Sequence, residues 1–390
     1  MNNSVSNWPN YDQDEIDAVS DVLSSGRVNY WTGDNGKEFE GEFARHFGAE
    51  YAIALANGTV ALDIALRALD IGRGDEVIVT PMTFLASVSS IVNAGATPVF
   101  ADVDLDSQNI TPASVEVVLS PRTRAIMCVH LAGWPCEMDG ILDLAEQHDL
   151  AVIEDSAQAH GARYRGKSVG SFGNIGAWSF CQDKIMTTGG EGGMVTTDDR
   201  ELWSKMWSLK DHGRSYEAVF EREHPIGFRW FIESFGTNGR MTEMQAAIGR
   251  IQLKKMLEWH ARRLEIANTI WAAATRIPGL RVPEVPAHIE HAAYKCYVFV
   301  APESLNSGWS RDRIMAEIND CGAPCFTGGC PEVYLEKAFD GTGFRPEKRL
   351  PKARELGETS LMFLCHPTLT DEQVAKTCEV LEIVMHRATG

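Results

Sequence analysis

Short apolar runs alternate, from about residue 50 to residue 198, with stretches whose apolar positions recur at helical spacing. That alternation predicts strands separated by helices and hence a mostly parallel sheet. The run at 150–153 leads straight into Glu154 and Asp155 and reads as a buried parallel strand that delivers Asp155 to its carboxyl end. The residues at 54–56 read as a short strand ending in Asn57-Gly58-Thr59, with an amphipathic helix behind it. Residues 177–180 form another strand-like run, and 201–210 a helix. Residues 241–267, rich in Leu, Lys, Glu and Arg, predict one long helix or two close ones that bridge to a second domain. Pro278, Pro283 and Pro286 mark a linker-like patch, followed by a strand at 297–300 and helices at 311–319 and 371–385. The expected organisation is an N-terminal arm and large domain over 1–250, then a bridging helix and smaller α+β domain over 251–390.

Three strand ends carry candidate chemistry, since ligands of open α/β sheets bind beyond the carboxyl edge. Lys184 lies between the run at 177–180 and the Gly-rich segment ending at Gly193. An amine there can be held partly desolvated and ready to form an imine with an aldehyde; taken alone it equally fits a solvated surface charge. Asp155, at a buried strand end, needs a cationic partner or costs several kcal/mol, unless it caps the next helix. The helix behind Asn57 presents unpaired amides at the positive end of its dipole, suited to a phosphate, although plain N-capping by Asn57 explains the same residues.

Together these segments resemble the DegT-type (DegT/DnrJ/StrS) nucleotide-sugar aminotransferases, pyridoxal phosphate (PLP) enzymes of fold type I. The resemblance runs through Trp31-Thr32-Gly33, Phe39-Glu40, Asn57-Gly58-Thr59, the 74–79 segment leading to Phe84, and Val129-His130-Leu131. It continues through 154–161, Ser179 to Lys184, Gly189 to Gly193, and Asn238-Gly239-Arg240-Met241 with Glu243 and Gln245. It implies that Lys184 holds PLP and shuttles protons, and that Asp155 pairs with the pyridine nitrogen. It assigns Phe84 to stacking on the cofactor ring, Gln158 to its phenolic oxygen, and Gly58, Thr59 and Ser179 to its phosphate. Asn238 would reach the phosphate of a neighbouring subunit, so that a homodimer shares its active sites. His212, Arg240 and Trp230 are substrate-side candidates. His212 otherwise caps the helix at 201–210, Arg240 otherwise positions Asn238 or makes a structural ion pair, and Trp230 lies in the polar, aromatic stretch 216–235, which reads as a substrate-facing loop or as a plain interface patch. His160 either tunes the site or is structural.

The implied reaction moves an amino group from L-glutamate to a nucleotide-linked ketosugar, a 4-keto-6-deoxy hexose in the commoner case, making an amino sugar for surface polysaccharide or a secondary metabolite. Two segments depart from the family pattern: Asp34 follows Gly33 where many relatives have proline, and 324–331 replaces a His-Tyr-Pro type turn. Both bear on the sugar more than on the chemistry. A deoxysugar dehydratase of the same family would carry histidine in place of Lys184, and a non-catalytic regulator would lack Lys184 or Asp155.

Composition narrows the picture. A net charge of −18 argues against a nucleic-acid partner, so local positive charge or backbone amides must meet an anionic nucleotide sugar. No signal-like opening and no apolar run near the roughly 18 residues of a membrane span are evident, which predicts a soluble cytoplasmic protein. Nine scattered cysteines fit reduced thiols. Cys321, Cys325 and Cys330 lack paired zinc-ligand spacing, so no metal is expected, and Cys181 is expected to be a small buried filler.

Overall fold

The computed structural model describes residues 7–390. The apolar runs become seven strands of one sheet, in the order Tyr51–Leu55, Gly193–Thr197, Ile175–Ser179, Ala151–Asp155, Thr123–Val129, Glu76–Val79, Thr97–Phe100. All neighbouring pairs from Ile175–Ser179 to Thr97–Phe100 are parallel, while Gly193–Thr197 runs against both its neighbours. The carboxyl ends of six strands therefore share one edge. Ile53, Val77, Ile78, Ile126, Met127, Val152 and Ile153 are fully or almost fully buried, which is why these strands read as continuous apolar runs rather than alternating ones.

The long helix is a single element, Glu243–Ala274. The Thr242 side chain accepts from the Gln245 amide and caps its start. At 1.5 Å per residue it spans about 48 Å, crossing the expected 250/251 boundary without a break. It packs against Gln13–Ser25 and Asn35–Phe47 on the large body and against Asp371–Thr389 at its far end. A second, antiparallel sheet joins Leu280–Arg281, Lys295–Val300 and Ser360–Leu364. The helices Arg311–Asp320 and Asp371–Thr389 pack on it around Val298, Ile314, Phe363 and Leu381. Among the described residues no helix is long and apolar enough to cross a membrane.

Candidate active site

Asp155 ends its strand at the shared edge and is 6% exposed. The Ser87 hydroxyl donates to its Oδ2 at 2.8 Å and the Ala157 amide to its Oδ1 at 3.2 Å. Ser87 is in turn 2.8 Å from the Thr83 hydroxyl, completing a buried chain Thr83–Ser87–Asp155. Burial pushes the Asp155 carboxyl above its usual range, and the Ser87 and Ala157 hydrogen bonds and the Lys184 charge offset this only in part. No ion pair within the described residues compensates it. An acid so placed calls for a cation.

The strand is pinned from below by its other carboxylate. Glu154 is fully buried and accepts from the amides of Gly170, Phe172 and Gly173 at 2.7–2.8 Å. It also lies 3.0 Å from His130 Nε2. His130 Nδ1 accepts from the Cys136 amide, so the ring proton sits on Nε2, facing Glu154. Burial opposes the Glu154 charge, but His130 and the Gly173 and Gly170 amides outweigh it and hold the carboxyl below its usual range.

Lys184 sits in the turn after Ile175–Ser179, half-buried, its amide donating to the Cys181 carbonyl at 3.0 Å. Its Nζ lies 5.2 Å from the Tyr294 ring centroid, and the Lys295 ammonium lies 4.7 Å from the same ring. The Tyr294 hydroxyl donates to Asp183. Two lysine side chains thus meet one aromatic ring, with the Asp183 carboxylate beside them.

At the neighbouring strand end the helix Gly58–Ala68 begins. Asn57 does cap it, its Oδ1 accepting from the Val60 amide at 2.9 Å. That leaves the Gly58 and Thr59 amides as open first-turn donors. A Cβ on Gly58 would stand 2.6 Å from the Ser179 Cβ, so only glycine lets the helix start meet the strand end this closely. Gly58→Ala should force the two apart, costing about 1–3 kcal/mol by overpacking. Denaturation midpoints would measure that loss, and a variant of unchanged stability would refute the packing argument.

Phe84 is 73% exposed and presents a flat face at the same edge. The Gln158 oxygen accepts from the Ala132 amide at 2.9 Å, leaving its NH2 as donor. A half-buried lysine, an unpaired buried acid, a bare aromatic face and open helix amides are the donor set that PLP requires; the residues fit the cofactor.

The substrate-side candidates fare unequally. Arg240 is tied to buried Asp211, which also accepts from Trp31 Nε1 at 2.7 Å and pairs with Arg214 at 3.6 Å. It makes the structural ion pair. His212 does not cap Arg200–Lys210: Asp211 takes the cap position, and His212, at φ +60°, leaves its side chain exposed. Trp230 is 79% exposed and packs edge-on against Phe228. Asn238 is exposed and pairs through its backbone with Asp211. His160 is fully buried among Phe47, Trp178 and Phe180 with both nitrogens unpartnered among the described residues. Burial and then the Lys184 charge push its pKa down to about 3. Cys181 is half-exposed rather than buried, because the turn lifts it off the strand. Sequence patterns missed Thr83, Ser87, Tyr294 and the pinning role of Glu154 and His130. Their contacts join distant segments, and no local period marks them.

Comparison with known proteins agrees with this geometry. The profile of the DegT/DnrJ/EryC1/StrS aminotransferase family matches residues 9–382. A solved aminotransferase from Psychrobacter cryohalolentis is 60% identical with a TM-score of 0.97, covering 99% of this chain and 100% of that one. The GDP-perosamine synthase of Escherichia coli O157:H7 is 40% identical over 365 residues, 94% of each chain. A UDP-N-acetyl-3-dehydro-alpha-D-glucosamine 3-aminotransferase of Acidithiobacillus ferrooxidans is 36% identical over 360 residues, 92% of this chain and 91% of its own. The fold is that of the type I PLP aminotransferases, and the chain belongs to the DegT/DnrJ/EryC1/StrS aminotransferase family.

Proposed function

We propose that this aminotransferase, working in the cytoplasm, moves an amino group from L-glutamate to the keto carbon of a nucleotide-linked ketosugar, a 4-keto-6-deoxy hexose, with PLP held between Lys184 and Asp155. The product would be an amino sugar for surface polysaccharide or a secondary metabolite. The observation that carries the reading is the pairing of a half-buried amine with a buried, cation-less carboxylate on one sheet edge. The GDP-perosamine synthase and the UDP-N-acetyl-3-dehydroglucosamine aminotransferase support a nucleotide-linked sugar as acceptor. Their names differ in nucleotide, so the base is settled by assay of UDP-, dTDP- and GDP-ketosugars.

Bound PLP supplies an electron sink for the charge left when a proton leaves the donor's α carbon. The chain does the rest. Asp155, in its buried niche, holds a proton on the ring nitrogen. The Gly58 and Thr59 amides and the Ser179 hydroxyl hold the phosphate, and Phe84 covers the ring face. The Lys184 amine takes the proton from the donor's α carbon and, in the second half-reaction, delivers one to the sugar carbon. Positioned proton transfer of this kind is worth roughly two to four powers of ten in rate. Product analysis with L-glutamate and each ketosugar tests the reading. An amino sugar formed from a 4-keto substrate is expected, and turnover of 3-keto substrates only would replace the acceptor.

The active unit is a homodimer. Ile226, Phe228, Trp230, Ile232 and Phe235, five large apolar side chains within ten residues, are each more than half exposed, and clustered apolar exposure of this kind marks interaction surfaces. A second copy would cover it and receive Asn238 at its phosphate site. Asn238→Ala should then weaken PLP retention. Mixing it with Lys184→Ala under subunit exchange should restore about a quarter of wild-type activity at limiting PLP, because half of the sites in hybrid dimers are intact. No recovery after proven exchange would contradict the shared site.

A further inference from the structure

The arm at the start of the described chain reaches the catalytic turn. Trp8 Nε1–H donates to the Lys184 carbonyl at 2.8 Å, across 176 positions of sequence. With the Lys184 amide bound to the Cys181 carbonyl at 3.0 Å, the lysine backbone is held on both sides, once by its own turn and once by the arm. The indole itself is fixed from three directions. Trp259 meets it edge-on at 5.1 Å, His366 lies nearly parallel at 6.3 Å, and the Arg263 guanidinium stands 5.0 Å over it. Arg263 is 1% exposed, and its Nε and Nη2 have no hydrogen-bond partner among the described residues. The π face of Trp8 compensates part of its charge, alongside Cys365, Tyr294 and Asp183. One residue earlier, the Asn7 carbonyl accepts from the Thr368 hydroxyl at 2.9 Å. The arm is thus latched to the bridging helix and the small domain while its indole N–H holds the catalytic turn.

We infer that Trp8 is a positioning residue for Lys184: its hydrogen bond sets the direction in which the lysine side chain leaves the turn. The inference rests on the PLP reading of the site. A space-filling aromatic would need no donor aimed at that carbonyl, and small displacements of a reacting amine cost large factors in rate.

Trp8→Phe keeps the ring over Arg263 and removes only the donor. Three quantities are read on the full chain: kcat against KM, the rate at which cofactor-free protein takes up PLP covalently at Lys184 (trapped with borohydride), and Tm. The expected result is a fall of about tenfold in kcat and in the uptake rate, with both KM values within about twofold and Tm nearly unchanged. Thr368→Val, which loosens the anchor of Asn7 and frees His366 beside the indole without touching Lys184, should lower the same two rates by a smaller factor. The inference is overturned if Trp8→Phe leaves both rates at wild-type values, or if they fall only in step with Tm. Should Trp8→Phe fail to fold, unchanged rates in Thr368→Val overturn it. Wild-type protein that takes up no PLP defeats the proposed function and the latch together, whereas normal wild-type uptake with an indifferent Trp8→Phe defeats the latch alone.

Discussion

Lys184→Ala is expected to abolish turnover, lowering kcat by at least about three powers of ten, while leaving the fold intact. Its backbone contacts, the amide to Cys181 and the carbonyl to Trp8, survive the substitution. What disappears is the Nζ that stands 5.2 Å from the Tyr294 ring. Lys295, on the same ring, is the nearest candidate to substitute for it. Its amine is carried by a strand of the small domain, and burial lowers its pKa, so it does not stand at the strand-end turn that presents Lys184. Borohydride trapping followed by peptide mass mapping should find PLP on the Lys184 peptide of the wild type and nowhere in the variant. Appreciable activity in Lys184→Ala would remove the basis of the assignment.

Asp155→Asn should separate function from stability. Burial raises the Asp155 pKa in the cofactor-free protein, so the folded form binds this proton more tightly than the unfolded chain. Its contribution to stability is therefore fully present below the ordinary carboxylate range and is lost as pH rises through the folded value. At neutral pH the ionised acid is a net burden. Asparagine removes the charge yet keeps the hydrogen bonds: its oxygen can accept from the Ala157 amide and its NH2 can donate to the Ser87 hydroxyl, which turns toward Thr83. The cofactor-free variant should be more stable at pH 7 by roughly 1 kcal/mol, the scale of a poorly compensated buried polar group. That gain should vanish at pH 4. Turnover should fall by about 10²–10³, the scale of losing a group that stabilises charge in the transition state. Thermal melts at the two pH values check the first part. A variant less stable than wild type at pH 7 would show that Asp155 is better compensated than its partners suggest.

Much of this arrangement was legible in the chain because it is written locally. Asp155 follows its apolar run directly, Gly58 sits between a strand and a helix cap, and Lys184 stands between a strand-like run and a Gly-rich turn; the fold brings those strand ends to one edge. The start of the long helix was readable from Thr242 and Gln245. Its end was set too early, because no glycine or proline interrupts the chain between Ala267 and Ala274. What escaped was non-local. Ser87 reaches Asp155 across 68 positions, and Trp8 reaches Lys184 across 176; neither residue belongs to a period or a motif. Arg240 and His212 show the same limit from the other side. Whether an exposed-looking arginine is free depends on Asp211, 29 positions away, which is itself held by Trp31 across 180 positions and by its near neighbour Arg214.

If Lys184 and Asp155 form a PLP site that accepts an amino group from glutamate, the absorbance spectrum of the PLP-loaded protein should report each half-reaction. L-Glutamate alone is added first, then a nucleotide ketosugar. The visible band of Lys184-bound cofactor should disappear with glutamate and return with the sugar. A band that forms but ignores glutamate would contradict the proposed donor, and protein that gives no such band with PLP would contradict the role of Lys184 itself.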